Sequence, residues 1–355
     1  MKGSREFAAI CALFVAFQLV GQGLSGKAAV PPSIPVVDLN FKDDPSVAGL
    51  AASPVLAYPL ECSTDGKLFV EMLAPPDFSK RELYAVSPSK GAYRLDGTQM
   101  SDLHDVTITS YYPTPSLVAF LVYATRDTTE PRKAEHHYYL ATFDKDFAYK
   151  RAVQIPDQFH PLHIGAFDDG VFLISGADEE RMLRLFLLNA DGSVLRVLDS
   201  PTEFGRGYKK LINSSELAHG RISPAAQMVP FLDSILLISR SSRIPVLEVK
   251  SGGAIREVQL DLPKGMDYVV DSFVPSSDDK WYVRFNVVAP PGKAFSNDPI
   301  LYKVDPSNGK LLEQFHPVGA LGSEIACVSD GRFLALRQDD NGHFVEMKGV
   351  AEANR

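Results

Sequence analysis

Apolar residues along this chain come in short runs of about five, each stopped by a tight turn and seldom spaced as on a helix face. The turns that open successive units are Asp65-Gly66, Pro115-Ser116, Asp169-Gly170, Leu232-Asp233, Asp278-Asp279 and Asp330-Gly331. Behind them stand Lys67-Leu-Phe-Val-Glu-Met, Leu117-Val-Ala-Phe-Leu-Val, Val171-Phe-Leu-Ile-Ser, Ile235-Leu-Leu-Ile-Ser, Lys280-Trp-Tyr-Val-Arg-Phe and Arg332-Phe-Leu-Ala-Leu. Runs this short, rich in β-branched and aromatic residues, predict strands buried on both faces.

A third strand recurs in each unit: Leu83-Tyr-Ala-Val, Tyr138-Tyr-Leu-Ala-Thr-Phe, Leu185-Phe-Leu-Leu, Ile244-Pro-Val-Leu-Glu-Val, Leu301-Tyr-Lys-Val and Phe344-Val-Glu-Met. Several of these run into a second turn, as at Asn189-Ala-Asp-Gly192, Lys250-Ser-Gly-Gly253 and Asp305-Pro-Ser-Asn-Gly309. Glycine belongs there because hairpin turns need positive φ. Fourth strands such as Ser193-Val-Leu-Arg-Val-Leu and Lys310-Leu-Leu-Glu-Gln-Phe follow. Four antiparallel strands repeating roughly every 50 residues predict an all-β chain, a six-bladed β-propeller with four strands per blade. The sixth unit runs out after its third strand, so Ile34-Pro-Val-Val-Asp-Leu-Asn40 is expected to close the last blade as its fourth. A pair of β-sandwiches is the rival architecture, and it would not impose such even spacing.

The segments Leu301-Tyr-Lys-Val-Asp-Pro-Ser-Asn-Gly-Lys-Leu-Leu and Glu324-Ile-Ala-Cys-Val-Ser-Asp-Gly-Arg-Phe resemble six-bladed propellers of the NHL-repeat and TolB-like kind. The resemblance implies an architecture and carries no activity. The second and fourth units depart from it, for they lack the Asp-Gly pair.

The N-terminus changes the picture of where the chain works. Lys2 and Arg5 precede an apolar run from Phe7 to Val20, and small residues follow through Gly26. That order predicts a secretory signal peptide over 1–26, with 27–355 as one propeller domain, secreted or periplasmic. The run is too short to span about 30 Å of hydrocarbon, so no membrane insertion is expected after cleavage. Export would place Cys62 and Cys327 in an oxidising compartment. Both sit three residues before an Asp-Gly turn, in matching units. Two buried free thiols are nevertheless expected, because equivalent positions on neighbouring inner strands sit near or beyond the disulfide limit of about 7 Å between Cα atoms.

With 36 basic against 44 acidic residues the net charge is -8, which argues against nucleic acid as a partner. A single tryptophan gives little for a sugar-stacking platform.

In a four-stranded blade the hairpins fall on one end of the disc, and the longer connections fall on the other. Long connections on a rigid scaffold are where binding residues collect. All eight histidines lie in or beside that long set: His104, His136, His137, His160, His163, His219, His316 and His343. The longest connection, 200–227, is read as an inter-blade insertion, with Asn213-Ser-Ser-Glu216 as a capping box opening a short helix. The candidate ligand-binding residues are Arg126, His136, His163, Arg206, Tyr208, His219, Arg221 and Arg240. Arginines there would grip carboxylates, and histidines would make binding pH-dependent.

Catalytic patterns are missing. There is no Gly-x-Ser-x-Gly elbow and no phosphate-cradling Gly-Lys loop. His160-Pro-Leu-His163 and His136-His137 lack a third ligand fixed by spacing, and no calcium loop occurs, so neither a metal nor another cofactor is expected. The chain is therefore read as a binding or scaffold protein for a protein or small-molecule partner, not an enzyme. The alternative is a metal-dependent propeller hydrolase or lactonase. Propeller lactonases, which this fold also resembles, hold a metal with acidic and amide side chains at inner strand starts; Glu61 and Glu324 match the acid, and no asparagine matches the amide.

Overall fold

The computed structural model describes residues 36–39, 56–63, 67–74, 80–87, 91–126, 135–157, 159–178, 183–198, 227–239, 242–264, 267–288, 300–315, 325–329, 332–338 and 345–351. All of them fall in the compact unit Ser33–Arg355. The signal segment and the stretch 199–226 lie outside the described residues. Among the described residues no helix is long and apolar enough to cross a membrane.

Strand β1 is Val36–Leu39. The first meander is β2 (Leu56–Cys62), β3 (Leu68–Ala74), β4 (Lys80–Ser87) and β5 (Gly91–Leu95). The second is β6 (Leu103–Pro113), β7 (Leu117–Arg126), β8 (His137–Asp144) and β9 (Tyr149–Gln154). The third is β10 (Phe159–Ala166), β11 (Phe172–Asp178), β12 (Leu183–Leu188) and β13 (Val194–Val197). The fourth is β14 (Gln227–Phe231), β15 (Ser234–Ile238), β16 (Val246–Lys250) and β17 (Ile255–Val258). The fifth is β18 (Asp267–Val274), β19 (Trp281–Val288), β20 (Ile300–Val304) and β21 (Leu311–Phe315). Last come β22 (Ile325–Ser329), β23 (Arg332–Gln338) and β24 (Val345–Ala351).

These make six four-stranded antiparallel sheets, and the last takes β1 as its outer strand, in the order β1-β24-β23-β22. Val36 pairs with Val350 and Leu39 with Met347. Ile244 and Pro245 fall before β16 instead of inside it, and Pro245 has no N–H to give a ladder.

Burial explains the stacking. Along β15, Ile235 and Leu237 belong to one core cluster and Leu236 and Ile238 to another. The first cluster joins the fourth sheet to the third, and the second joins it to the fifth. Strand β7 divides the same way, with Ala119 and Leu121 packed towards the third sheet and Val118, Phe120 and Val122 towards the first. A period-two strand with both faces apolar needs a sheet on each side. Each buried Leu, Ile or Phe contributes about 1.5–3 kcal/mol, so sheets pack face to face instead of standing alone. Between the fourth and fifth sheets Trp281 receives Phe231 and Phe273 at centroid distances of 6.0 and 5.8 Å. Fourth strands are outermost and wet: Val194, Leu195 and Val197 of β13 are exposed.

First strands meet first strands. β2 contacts β6, β6 contacts β10, β10 contacts β14, β18 contacts β22, and β22 contacts β2. Four-stranded meanders packed face to face with their first strands gathered inside are a β-propeller type of fold.

The hairpin end is sewn from sheet to sheet. Ser116 donates its hydroxyl to Asp168 at 2.6 Å, and the Val328 N–H donates to the Pro275 carbonyl at 2.8 Å. Hairpin glycines with positive φ do the same at the rim. Gly253 offers its carbonyl to Arg196 of the preceding sheet, and Gly309 accepts from the Asp261 N–H at 2.9 Å.

One expectation is overturned here. Cys62 is fully buried and disulfide-bonded instead of a free thiol. Cys327 lies on β22, and its side chain is outside those described.

Candidate functional site

The site begins with a strand that cannot bury both faces. β6 alternates His104, Thr107 and Thr109, all exposed, with half-buried Val106 and Ile108. This is the pattern of an antiparallel strand with one face solvated. Two bulges interrupt its pairing with β7, between His104 and Thr107 and between Ile108 and Ser110. Asp105 occupies the first bulge with φ of 50°, a backbone region that only short polar side chains tolerate without much strain.

The connection into β6 folds over this strand. A 3-10 turn, Gly97–Gln99, is capped by Asp96, whose side chain accepts from the Thr98 N–H at 3.0 Å. Gln99 answers by accepting from the Asp96 N–H at 3.2 Å. Gly97 has to be glycine, since a Cβ there would lie 2.6 Å from the Cβ of Val106. Arg94 pairs with Asp96 at 2.7 Å.

Between the turn and the strand lies a cavity of about 950 Å3 lined by Arg94, Asp96, Thr98, His104, Asp105 and Thr107 among others. It opens at the end of β6 that receives the connection from the first sheet. Arg94 and Asp96 neutralise each other, which leaves the Asp105 carboxylate beside the His104 imidazole and the Thr107 hydroxyl, while the Thr98 hydroxyl donates to Asp96 and that of Thr109 to the Leu121 carbonyl. Such a lining suits a polar ligand carrying hydroxyl or cationic groups.

The expected site residues separate. Arg126 ends β7 opposite Leu103, one step from the cavity, yet its guanidinium is committed. It pairs with Asp102 at 2.9 Å, donates to the Ala152 carbonyl at 2.6 Å and lies 4.8 Å from the Tyr139 ring centroid. Tyr149 donates to the same Asp102, and burial together with that bond pushes its phenol far above the usual range. Arg126 thus clamps the entry of β6 to β8 and β9. His136 is exposed and stacks on Tyr123 at 5.1 Å, with Tyr138 at 5.0 Å from the same ring. His163, on β10, is half-buried, and desolvation lowers its pKa. Arg206, Tyr208, His219, Arg221 and Arg240 lie outside the described residues, as does Glu324.

Arg94, Asp96 and Asp105 were not singled out by sequence reasoning. For Asp105 the signal was the polar–apolar alternation of His104-Asp-Val-Thr-Ile-Thr109, which marks a strand with one wet face; Arg94 and Asp96 lie outside that run. Among the described residues no group of three or more His, Cys, Asp or Glu is placed to hold a metal ion.

No family model matches the sequence, and no curated protein matches it. Among solved structures the chain is similar to virginiamycin B lyase from Staphylococcus aureus, at 10% identity and a TM-score of 0.40, over 90% of this chain and 99% of that one. A streptogramin B lyase structure gives 9% identity and a TM-score of 0.40, covering 89% and 98%. The major Malassezia sympodialis allergen Mala s 1 gives 10% and 0.39, covering 85% and 92%. Likeness at this level says nothing of activity; the propeller-type fold rests on the sheets themselves.

Proposed function

We propose that this chain is an exported six-bladed propeller of the NHL-repeat and TolB-like kind, closed by its N-terminal strand, that binds a partner or small polar ligand and does no chemistry on it. Six sheets in sequence, with β1 on the last and β22 against β2, support the closed ring. The disulfide at Cys62 supports export, since such bonds persist in oxidising compartments. The observation that carries the binding reading is the cavity at the connection end of β6, where His104 and Asp105 sit on a bulged strand with a wet face.

The test is a thermal-shift screen of the mature protein against polyols, amines and carboxylates, repeated on His104→Ala/Asp105→Ala and on Arg206→Ala/Tyr208→Ala/Arg221→Ala. A ligand that binds the folded state raises the melting temperature by mass action. A hit should vanish in the first variant, and should weaken in the second if the long insertion also contributes. A hit that survives both, and is lost after Asp168→Ala/Asp169→Ala on the hairpin end, would place binding on the opposite end and end this reading.

A further inference from the structure

We infer that Cys327 is the residue bonded to Cys62, and that the bond is a covalent latch between the first and last sheets of the chain. It rests on no part of the ligand reading.

The chain has three cysteines, Cys11, Cys62 and Cys327. Cys62 is disulfide-bonded and fully buried on β2. The strand that meets β2 from the other end of the chain is β22, which carries Cys327. The two cysteines hold matching places in their units. Cys62 stands opposite Leu68 of β3, and Cys327 opposite Leu334 of β23, each close behind a bulge in its own first strand. Backbone placement therefore brings one cysteine from each side to the seam between the sheets.

That seam differs from the others. At every other seam the fourth strand of one sheet is followed in chain order by the first strand of the next. Here β1, at the outer edge of the last sheet, leads on to β2, at the inner edge of the first. The outer edge is secured by the β1–β24 ladder, which is only hydrogen-bonded. A bond between β2 and β22 would secure the inner edge covalently. The chemistry balances as thiol–disulfide exchange with a low-molecular-weight disulfide such as oxidised glutathione. One protein thiolate attacks it and releases one glutathione thiol; the second protein thiolate displaces the other glutathione and closes the bond. A cross-link enclosing so much chain is expected to stabilise by restricting the unfolded ensemble.

Digestion of the alkylated, unreduced protein and mass spectrometry should yield one peptide pair joining Cys62 to Cys327. Cys62 found free, glutathionylated or joined to Cys11 overturns the pairing. For the latch, Cys62→Ser/Cys327→Ser should melt about 10 °C below the oxidised wild type. Wild type unfolded, reduced and refolded under reductant should melt with that variant, and Cys11→Ser should melt with the oxidised wild type. A reduced protein that fails to refold while the oxidised one succeeds supports the latch as well. If the double variant and reduced protein melt with the oxidised wild type, the bond is not a latch.

Discussion

Gly309 and Gln259 are held so close that no side chain fits between them. Gly309 has φ of 73°, and a Cβ built there would fall well inside 3.0 Å of the Gln259 carbonyl oxygen. One glycine of the fifth sheet thereby sets how near its β20–β21 hairpin lies to the chain leaving the fourth. Gly309→Ala meets both a left-handed backbone and an immovable carbonyl, so it should cost about 3 kcal/mol. Gly253→Ala has the same backbone strain at φ of 82°, but its Cβ meets the flexible Arg196 side chain, so about 1–2 kcal/mol is expected. Gly252→Ala meets nothing within 4 Å and should lie within about 0.5 kcal/mol of wild type. Urea unfolding of the three variants checks the order; equal losses would mean that the hairpin contact has no energetic weight.

Glu248 and Arg256 form an unequal pair. The carboxylate is 8% exposed and the guanidinium 46%, with Arg256 Nε donating to Glu248 Oε2 at 2.9 Å. Ser234 donates to the other carboxylate oxygen at 3.0 Å. Removing the arginine leaves a buried charge with weaker partners, whereas removing the charge leaves an arginine that water can solvate. Arg256→Ala should therefore cost about 2–3 kcal/mol, and Glu248→Gln about 1 kcal/mol. The reverse order in chemical denaturation would contradict this account.

His163 should make stability depend on mild acid. Burial lowers its pKa below 6.5 in the folded protein, so the neutral ring is favoured there. Above that value both states hold a neutral ring and nothing is gained. As pH falls below about 6.5 the unfolded chain takes up the proton first, and stability drops until the folded pKa is reached. The slope from this one group cannot exceed about 1.4 kcal/mol per pH unit. Melting temperature followed from pH 7.5 to 5.5 should fall less in His163→Gln than in wild type. Parallel curves would show that His163 does not titrate differently on folding.

Removing 27–41 takes away β1 and exposes β24 as an unpaired edge. The expected result is a lower melting temperature and a tendency to self-associate through that edge. An unchanged, monomeric melt would mean that the β1–β24 ladder contributes nothing to stability.

What the sequence made legible was whatever is local. The turns at 115–116, 169–170, 232–233 and 278–279 each separate the first two strands of a sheet, and Ile34–Asn40 contains the strand that pairs with β24. Alternation and turn chemistry act within a few residues, so they can be read directly. The disulfide of Cys62, the engagement of Arg126 by Asp102 and Ala152, and the left-handed Asp105 depend on what neighbouring strands and sheets bring near. For Arg126 a charge beside a long connection looked free, and it is a clamp. The cavity escaped notice because it comes from a folded-over turn and a bulge, neither of which has a compositional mark.

The last sheet also orders events in time. The strands of every other sheet follow one another along the chain, so those sheets can assemble as the chain emerges at about 5–20 residues per second. β1 is made first and must wait for β24. Until then its backbone donors and acceptors stay open to any passing strand. A cell making this protein faster than it can be finished would accumulate chains with one unsatisfied strand at the start, which is the condition under which neighbouring copies exchange ends.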